Sequence, residues 1–119
     1  LVQLLETCQP DCPVAAAASV LDGKWTTLIF RELLAGTRRY SELQRALVGV
    51  TPRMLALRLA ELERHGLVHK TIYPTIPPKT EYALTSLGRA AEPVIVAMAQ
   101  FGRSVQATQG TDPVHPAGK

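Results

Sequence analysis

The chain has only two cysteines, Cys8 and Cys12, too few for a disulfide framework. Their spacing is C-x3-C rather than the C-x-x-C of thiol oxidoreductases, and nothing nearby supplies a catalytic acid or base. No second Cys/His pair has metal-ligand spacing. No apolar run approaches a membrane span and no signal-peptide pattern opens the chain, so a cytoplasmic location is expected. A catalytic triad, a phosphate-binding loop and paired carboxylates in a credible pocket are all missing. No enzyme activity and no cofactor are therefore expected. Internal repeats are also missing.

What is present begins with a basic centre. The 119 residues suit one domain with a small core and carry a net charge of +3. Between Lys24 and Lys79 ten basic residues face four acidic ones, while the rest of the chain is net negative by three. That asymmetry favours a polyanionic partner on the middle segment.

Residues 38–66 carry the organising pattern. Ser41 with Gln44 reads as a capping box, and Gly49 stops that helix near Leu47 or Val48. Thr51 caps a second helix with Pro52 at its first position, and His65-Gly66 ends it. Two helices across a short glycine-containing turn form a helix-turn-helix. In the second helix Leu55, Leu59 and Leu62 share a core face. Arg53, Leu57, Ala60 and Arg64 lie opposite, with Ala56 on the flank. Arg53, Ala56 and Leu57 are the candidate base readers, because arginine can grip guanine and small apolar groups suit a thymine methyl. Arg38, Arg39, Ser41, Thr51, Pro52 and Arg58 complete the expected DNA-binding set on this stretch. An ordinary helical hairpin with a solvated arginine face is the alternative.

Around this centre the chain divides into an arm at 1–11, a domain at 12–107 and a tail at 108–119 rich in Gly, Pro and Thr. Pro13 starts a helix to about Leu21, with Cys12 at or near its N-cap. Helix amides there favour a thiolate; a buried structural thiol is the other reading. Lys24 to Ala35 reads as a helix with Trp25, Leu28, Ile29 and Leu33 on one stripe and Trp25 as a core anchor. Leu67 to Tyr73 and Thr80 to Leu84 read as a β-hairpin with a proline-stiffened tip. Such a basic hairpin after the second helix is a wing, from which Lys70 and Lys79 could reach phosphates or a minor groove. Thr85 or Ser86 caps one long last helix. Its Leu87, Ala91, Val94, Met98, Phe101 and Val105 make a heptad seam suited to dimerisation, with Pro93 inside as a kink. The expected class is mainly α with a small β-hairpin wing (α+β): a winged helix-turn-helix with a long C-terminal dimerisation helix.

These marks, in order, resemble the HxlR-type winged helix-turn-helix transcriptional regulators of bacteria. They include Cys12-Pro13-Val14, Leu21-Asp22-Gly23-Lys24-Trp25, Arg31-Glu32-Leu33-Leu34 and Tyr40-Ser41-Glu42-Leu43. Met54-Leu55, Gly66-Leu67-Val68, Tyr73-Pro74, Pro77-Pro78, Glu81-Tyr82 and Leu84-Thr85-Ser86-Leu87-Gly88 follow. They span roughly residues 12–102 without a gap. The resemblance implies a homodimer on a double-stranded DNA operator, joined by its first and last helices. It also implies that the cysteine matching Cys12 senses electrophiles or oxidants in several members. Ala15 to Ala18 and Leu57 stand where more polar residues are usual, and Cys8 is an addition. Three alternatives stay open: a metal-responsive regulator using Cys8 and Cys12 with His65, His69 or His115, a thiol enzyme, and a winged helix used only for protein contacts.

Overall fold

The computed structural model describes residues 12–111. Helix α1 (Pro13–Val20) leads into α2 (Lys24–Leu34), β1 (Arg38–Arg39), α3 (Tyr40–Ala46) and α4 (Pro52–Arg64). Then come β2 (Val68–Tyr73), β3 (Lys79–Leu84), α5 (Ser86–Arg89) and α6 (Glu92–Thr111). Among the described residues the strands form one antiparallel sheet of order β1-β3-β2. Val68 lies opposite Leu84 and Tyr73 opposite Lys79, while Arg38 and Arg39 lie opposite Tyr82 and Glu81. The mainly helical, winged architecture is the expected one.

The core forms where α2, α3 and α4 close over the sheet. Leu55, Leu59 and Leu62 are buried from α4, Leu43 and Leu47 from α3 and the loop after it, and Val68, Tyr82 and Leu84 from the sheet. Spacing by four and three puts the α4 leucines on one stripe, which is the apolar face the sequence predicts. In α2 the buried set is Thr26, Ile29, Phe30 and Leu33. Trp25 and Leu28 are only half-buried and pack at the rim. The stripe is therefore rotated from the expected one, because α2 also touches α6; Trp25 is not the central anchor.

The start of α3 also departs from expectation. The cap is Arg39, whose backbone N–H donates to Glu42 Oε1 at 2.8 Å, not Ser41 with Gln44. The cause is β1: Arg39 is extended (φ −73°, ψ 156°) and paired to Glu81, so the strand runs straight into the helix two residues early. At α4 the expectation holds. Thr51 Oγ1 accepts from the Met54 N–H at 3.1 Å, Pro52 takes the first turn, and Gly66 supplies the left-handed turn with φ +76°.

The last helix is two helices. Thr85 accepts from the Gly88 N–H at 3.1 Å and donates to the Gly66 carbonyl at 2.6 Å, fixing α5 against the end of α4. A Cβ at Gly88 would collide with the Leu67 carbonyl oxygen, so only glycine lets α5 lie this close. The chain turns at Ala90 and Ala91, then α6 begins with Pro93 in its first turn. Proline needs no amide partner there but could not continue the α5 ladder. The single long helix with an internal kink is thus corrected to a break before Pro93. Leu87 stays on α5 and Ala91 sits in the break, so the seam on α6 itself starts at Val94. At its far end α6 continues to Thr111, where composition predicts a stop near Ala107.

Candidate nucleic-acid interface

Tyr40 sets the angle of the helix pair. Its hydroxyl donates to the Pro52 carbonyl at 3.0 Å, tying the start of α3 to the start of α4. Leu43, Leu47 and Val50 fill the space beneath. With the leucine stripe of α4 spent on this core, Arg53, Ala56 and Leu57 are turned outward and exposed; Leu57 keeps 47 % of its surface. Among the described residues Arg53 makes no ion pair. An exposed arginine, an alanine and a leucine on the first turns of one helix offer paired donors and apolar contacts together.

A second element stands beside this face. A cleft of about 690 Å³ separates Arg39, Tyr40 and Ser41 from the wing at 75–80. One wall carries the exposed Arg39 and the Ser41 hydroxyl, and the other carries Lys79, Thr75 and Thr80. Lys79 is braced: its Nζ lies 4.4 Å from the centre of the Tyr73 ring and 3.6 Å from Glu81 Oε2. The Tyr73 hydroxyl donates to Glu81 Oε1 at 3.1 Å. That hydrogen bond, then the Glu81 charge, and least desolvation, raise the Tyr73 pKa. For Tyr82 burial is the main cause of the same upward direction, followed by the charge of Glu63 and by Tyr40. Lys70 is exposed on β2.

Two of the expected DNA-contact residues also have partners within the chain. Arg58 is drawn to the other side of α4, where its Nη1 donates to Glu61 Oε1 at 2.9 Å. Its Nη2 would lie 3.7 Å from a Cβ on Gly23, at the α1–α2 corner. Its Nε is shut off from solvent without a partner. Arg58 is therefore a packing residue of the domain, because helical geometry carries position 58 toward α2 and away from Arg53 and Leu57. Arg38 is half-exposed and turns back: its Nη1 donates to the Thr37 carbonyl at 3.2 Å, and its Nε lies 4.0 Å from Glu32 Oε1. The residues brought together are thus Arg53, Ala56 and Leu57 on α4, with Thr51 and Pro52 at its start, and Arg39, Ser41 and Lys79 across the cleft. Tyr40, which fixes the two helices, has no site role in the sequence reading, where it stands only as a mark of the family resemblance. Its position immediately after a basic pair and before an apolar-periodic helix was the available signal.

Away from this face the chain leaves apolar surface uncovered. No residue of α1 is buried, and Val14 is 51 % exposed. On α6, Val94, Met98 and Phe101 keep 41 %, 45 % and 71 % of their surface, while Ala91 and Ile95 pack on the core and Val105 is half-buried. Leu87 is exposed on α5. Cys12 is the N-cap of α1, as expected; it is buried and disulfide-bonded. Cys8 lies outside the described residues, as does His115. Among the described residues no three His, Cys, Asp or Glu side chains come together as a metal site, and no helix is long and apolar enough to cross a membrane.

A family profile described as HxlR-like helix-turn-helix matches residues 20–109. The HTH-type transcriptional regulator sll1512 of Synechocystis is 45 % identical over 91 residues, 76 % of this chain and 67 % of the relative. The structure of the redox regulator HypR in its oxidised form is 42 % identical with a TM-score of 0.74, covering 78 % of this chain and 96 % of HypR. That of diamide-treated YodB from Bacillus subtilis is 31 % identical with a TM-score of 0.68, covering 82 % and 95 %. The family and these relatives are transcriptional regulators, not enzymes. A helix pair locked by Tyr40, an outward arginine face, a wing and a match across most of the chain lead to one assignment: the chain belongs to the HxlR-like helix-turn-helix family of DNA-binding transcriptional regulators.

Proposed function

We propose that the protein acts as a homodimer on a two-fold DNA operator, in the cytoplasm where that DNA lies. In this reading α4 enters the major groove and Arg53, Ala56 and Leu57 read base edges, while Arg39, Ser41 and Lys79 hold phosphates. The observation that carries it is the uncovered apolar stripe Val94, Met98 and Phe101 on α6, where the stripes of α2 and α4 are buried within the chain. A second copy covers that stripe, joined by α1, which is exposed from Pro13 to Ser19, and the pair of α4 helices then meets half-sites about one DNA turn apart. Sedimentation of the purified protein, with and without an operator duplex, tests it. A dimer that binds one duplex is expected; a monomer at micromolar concentration overturns it.

Cys12 is the proposed sensor of electrophiles and oxidants. Its support is its place at the N-cap of α1, the helix assigned to the dimer contact, and the likeness to two proteins described by their oxidised or diamide-treated states. In the reduced protein, with the disulfide of Cys12 opened, a peroxide takes two electrons from the Cys12 thiolate and leaves as water or alcohol, giving a sulfenic acid. A second thiol, Cys8 or a cysteine of the other subunit, then attacks the sulfenic sulfur. It loses its proton, and the oxygen leaves as water. The bond moves α1 and with it the spacing of the reading heads. Cys12→Ser should abolish the response to oxidant while leaving DNA binding by the reduced form nearly intact. Modification of Cys12 without a change in DNA affinity is the result that overturns it.

A further inference from the structure

The wing tip carries a residue that neither the family match nor the basic face accounts for. Ile76 is completely exposed, at 101 %. It sits between Pro74 and the Pro77-Pro78 pair, on a turn held by the Thr75 N–H donating to the Tyr73 carbonyl at 2.8 Å. The Thr75 Oγ1 also donates to the Pro77 carbonyl at 2.8 Å. The tip between Tyr73 and Lys79 has no basic residue, and the lysine at its base is steadied beside Tyr73 and Glu81, below the tip. A bulky aliphatic group on a braced, projecting turn is a poor phosphate ligand and a suitable apolar wedge.

The cleft beside the tip, which Ile76 itself helps to line, gives the wedge its place. Its walls present Arg39, Ser41 and Thr80 as donors on either side of a groove of about 690 Å³. Such a groove suits the sugar–phosphate strand that separates a major from a minor groove. With α4 in the major groove and that strand between Ser41 and Thr80, the tip beyond the strand meets the adjacent minor groove. That groove is about 6 Å wide in B-form DNA, enough for one isoleucine but not for a whole turn of chain.

We propose that Ile76 is a minor-groove reader, an apolar wedge pressed against one base step at the outer edge of each half-site. This rests on the operator reading above. Aliphatic side chains in a minor groove act on stacking rather than on hydrogen bonds, and they prefer steps that unstack easily, pyrimidine–purine steps above all. The ligand class is therefore double-stranded DNA with a flexible step at a fixed distance from the bases read by Arg53.

The experiment is selection of binding sites from a random duplex library by the full-length protein, the Ile76→Ala variant, the Ile76→Arg variant and the Lys79→Ala variant. Affinities on the site preferred by the parent are then measured against salt concentration. Ile76→Ala should keep the bases facing α4 but lose the preference at the outer step. It should bind roughly fivefold more weakly, with the salt slope unchanged. Ile76→Arg should move the outer preference toward A·T pairs and steepen the salt slope by about one. Lys79→Ala should flatten the slope and leave the outer preference in place. An Ile76→Ala variant with the affinity and selected site of the parent overturns the wedge alone. A parent that enriches no sequence overturns the operator reading and the wedge with it.

Discussion

Helices α4 and α6 are both amphipathic, yet one is finished within the chain and the other is not. On α4 the stripe Leu55, Leu59 and Leu62 is at most 2 % exposed. On α6 the stripe Val94, Met98 and Phe101 keeps between 41 % and 71 % of its surface. The spacing of apolar residues by three and four is the same in both. Periodicity therefore announces that a helix has a partner, but not whether the partner is its own domain or another molecule. The distinction comes from geometry: α4 lies inside the angle made by α2, α3 and the sheet, whereas α6 leaves the domain after Ala91 and Ile95 and packs chiefly on α2.

Charging the two stripes should break them in opposite ways. Val94→Glu with Phe101→Asp should leave the folding stability of the isolated chain nearly unchanged, since both sites are exposed in it, and should remove only the stability that association adds. Operator binding should fall on the order of 10²- to 10⁴-fold as the second half-site contact is lost. Analytical ultracentrifugation and titration of an operator duplex check both arms. A loss of stability without a change in association state would merge the two helices into one class. On α4, Leu59→Ala should cost about 2–5 kcal/mol of folding stability through the cavity it leaves, read by denaturant unfolding, with the association state of the folded fraction preserved.

A smaller contrast lies within α4 itself. Arg53→Ala should cost roughly 1–3 kcal/mol on the preferred site and relax its base preference, without lowering the unfolding midpoint. Arg58→Ala should do the reverse. The melting temperature should drop by a few degrees, an effect of about 1 kcal/mol, and the selected sequence should not change. If Arg58→Ala alters base preference, the assignment of its side chain to the Glu61 and Gly23 corner is wrong.

The smallest expected effect is alkaline. Burial raises the pKa of Tyr82 above its ordinary value of 10.0, so the folded state favours the neutral phenol. The stability this contributes is complete below that value and is lost as pH rises through the raised native one. Tyr82→Phe should flatten the fall in unfolding midpoint above pH 10. An unaltered alkaline limb would place its origin in another group.

Local chemistry made much of this protein readable in advance. The Thr51-Pro52 start and Gly66 end of α4, its leucine stripe, the hairpin strands and the placement of Cys12 at a helix start depend on neighbours within a few residues. The dihedral limits of proline and glycine and the helical period settle them in any context. The start of α3 was missed because a two-residue strand has no period to detect; Arg38 and Arg39 became β1 only by lying beside β3. The break before α6 lay one turn from where the proline suggested it, because Gly88 had first to fit against the Leu67 carbonyl. Arg58 reads as a DNA contact by charge, and only the closing of α1 and α2 shows its side chain set against Glu61 and the Gly23 corner. Sequence by itself determined which segments are helix, turn and hairpin, and that a basic face existed. Tertiary structure decided which arginines belong to that face, which apolar stripe stays uncovered and where the wing stands, because those depend on contacts between residues far apart in the chain, which no local pattern encodes.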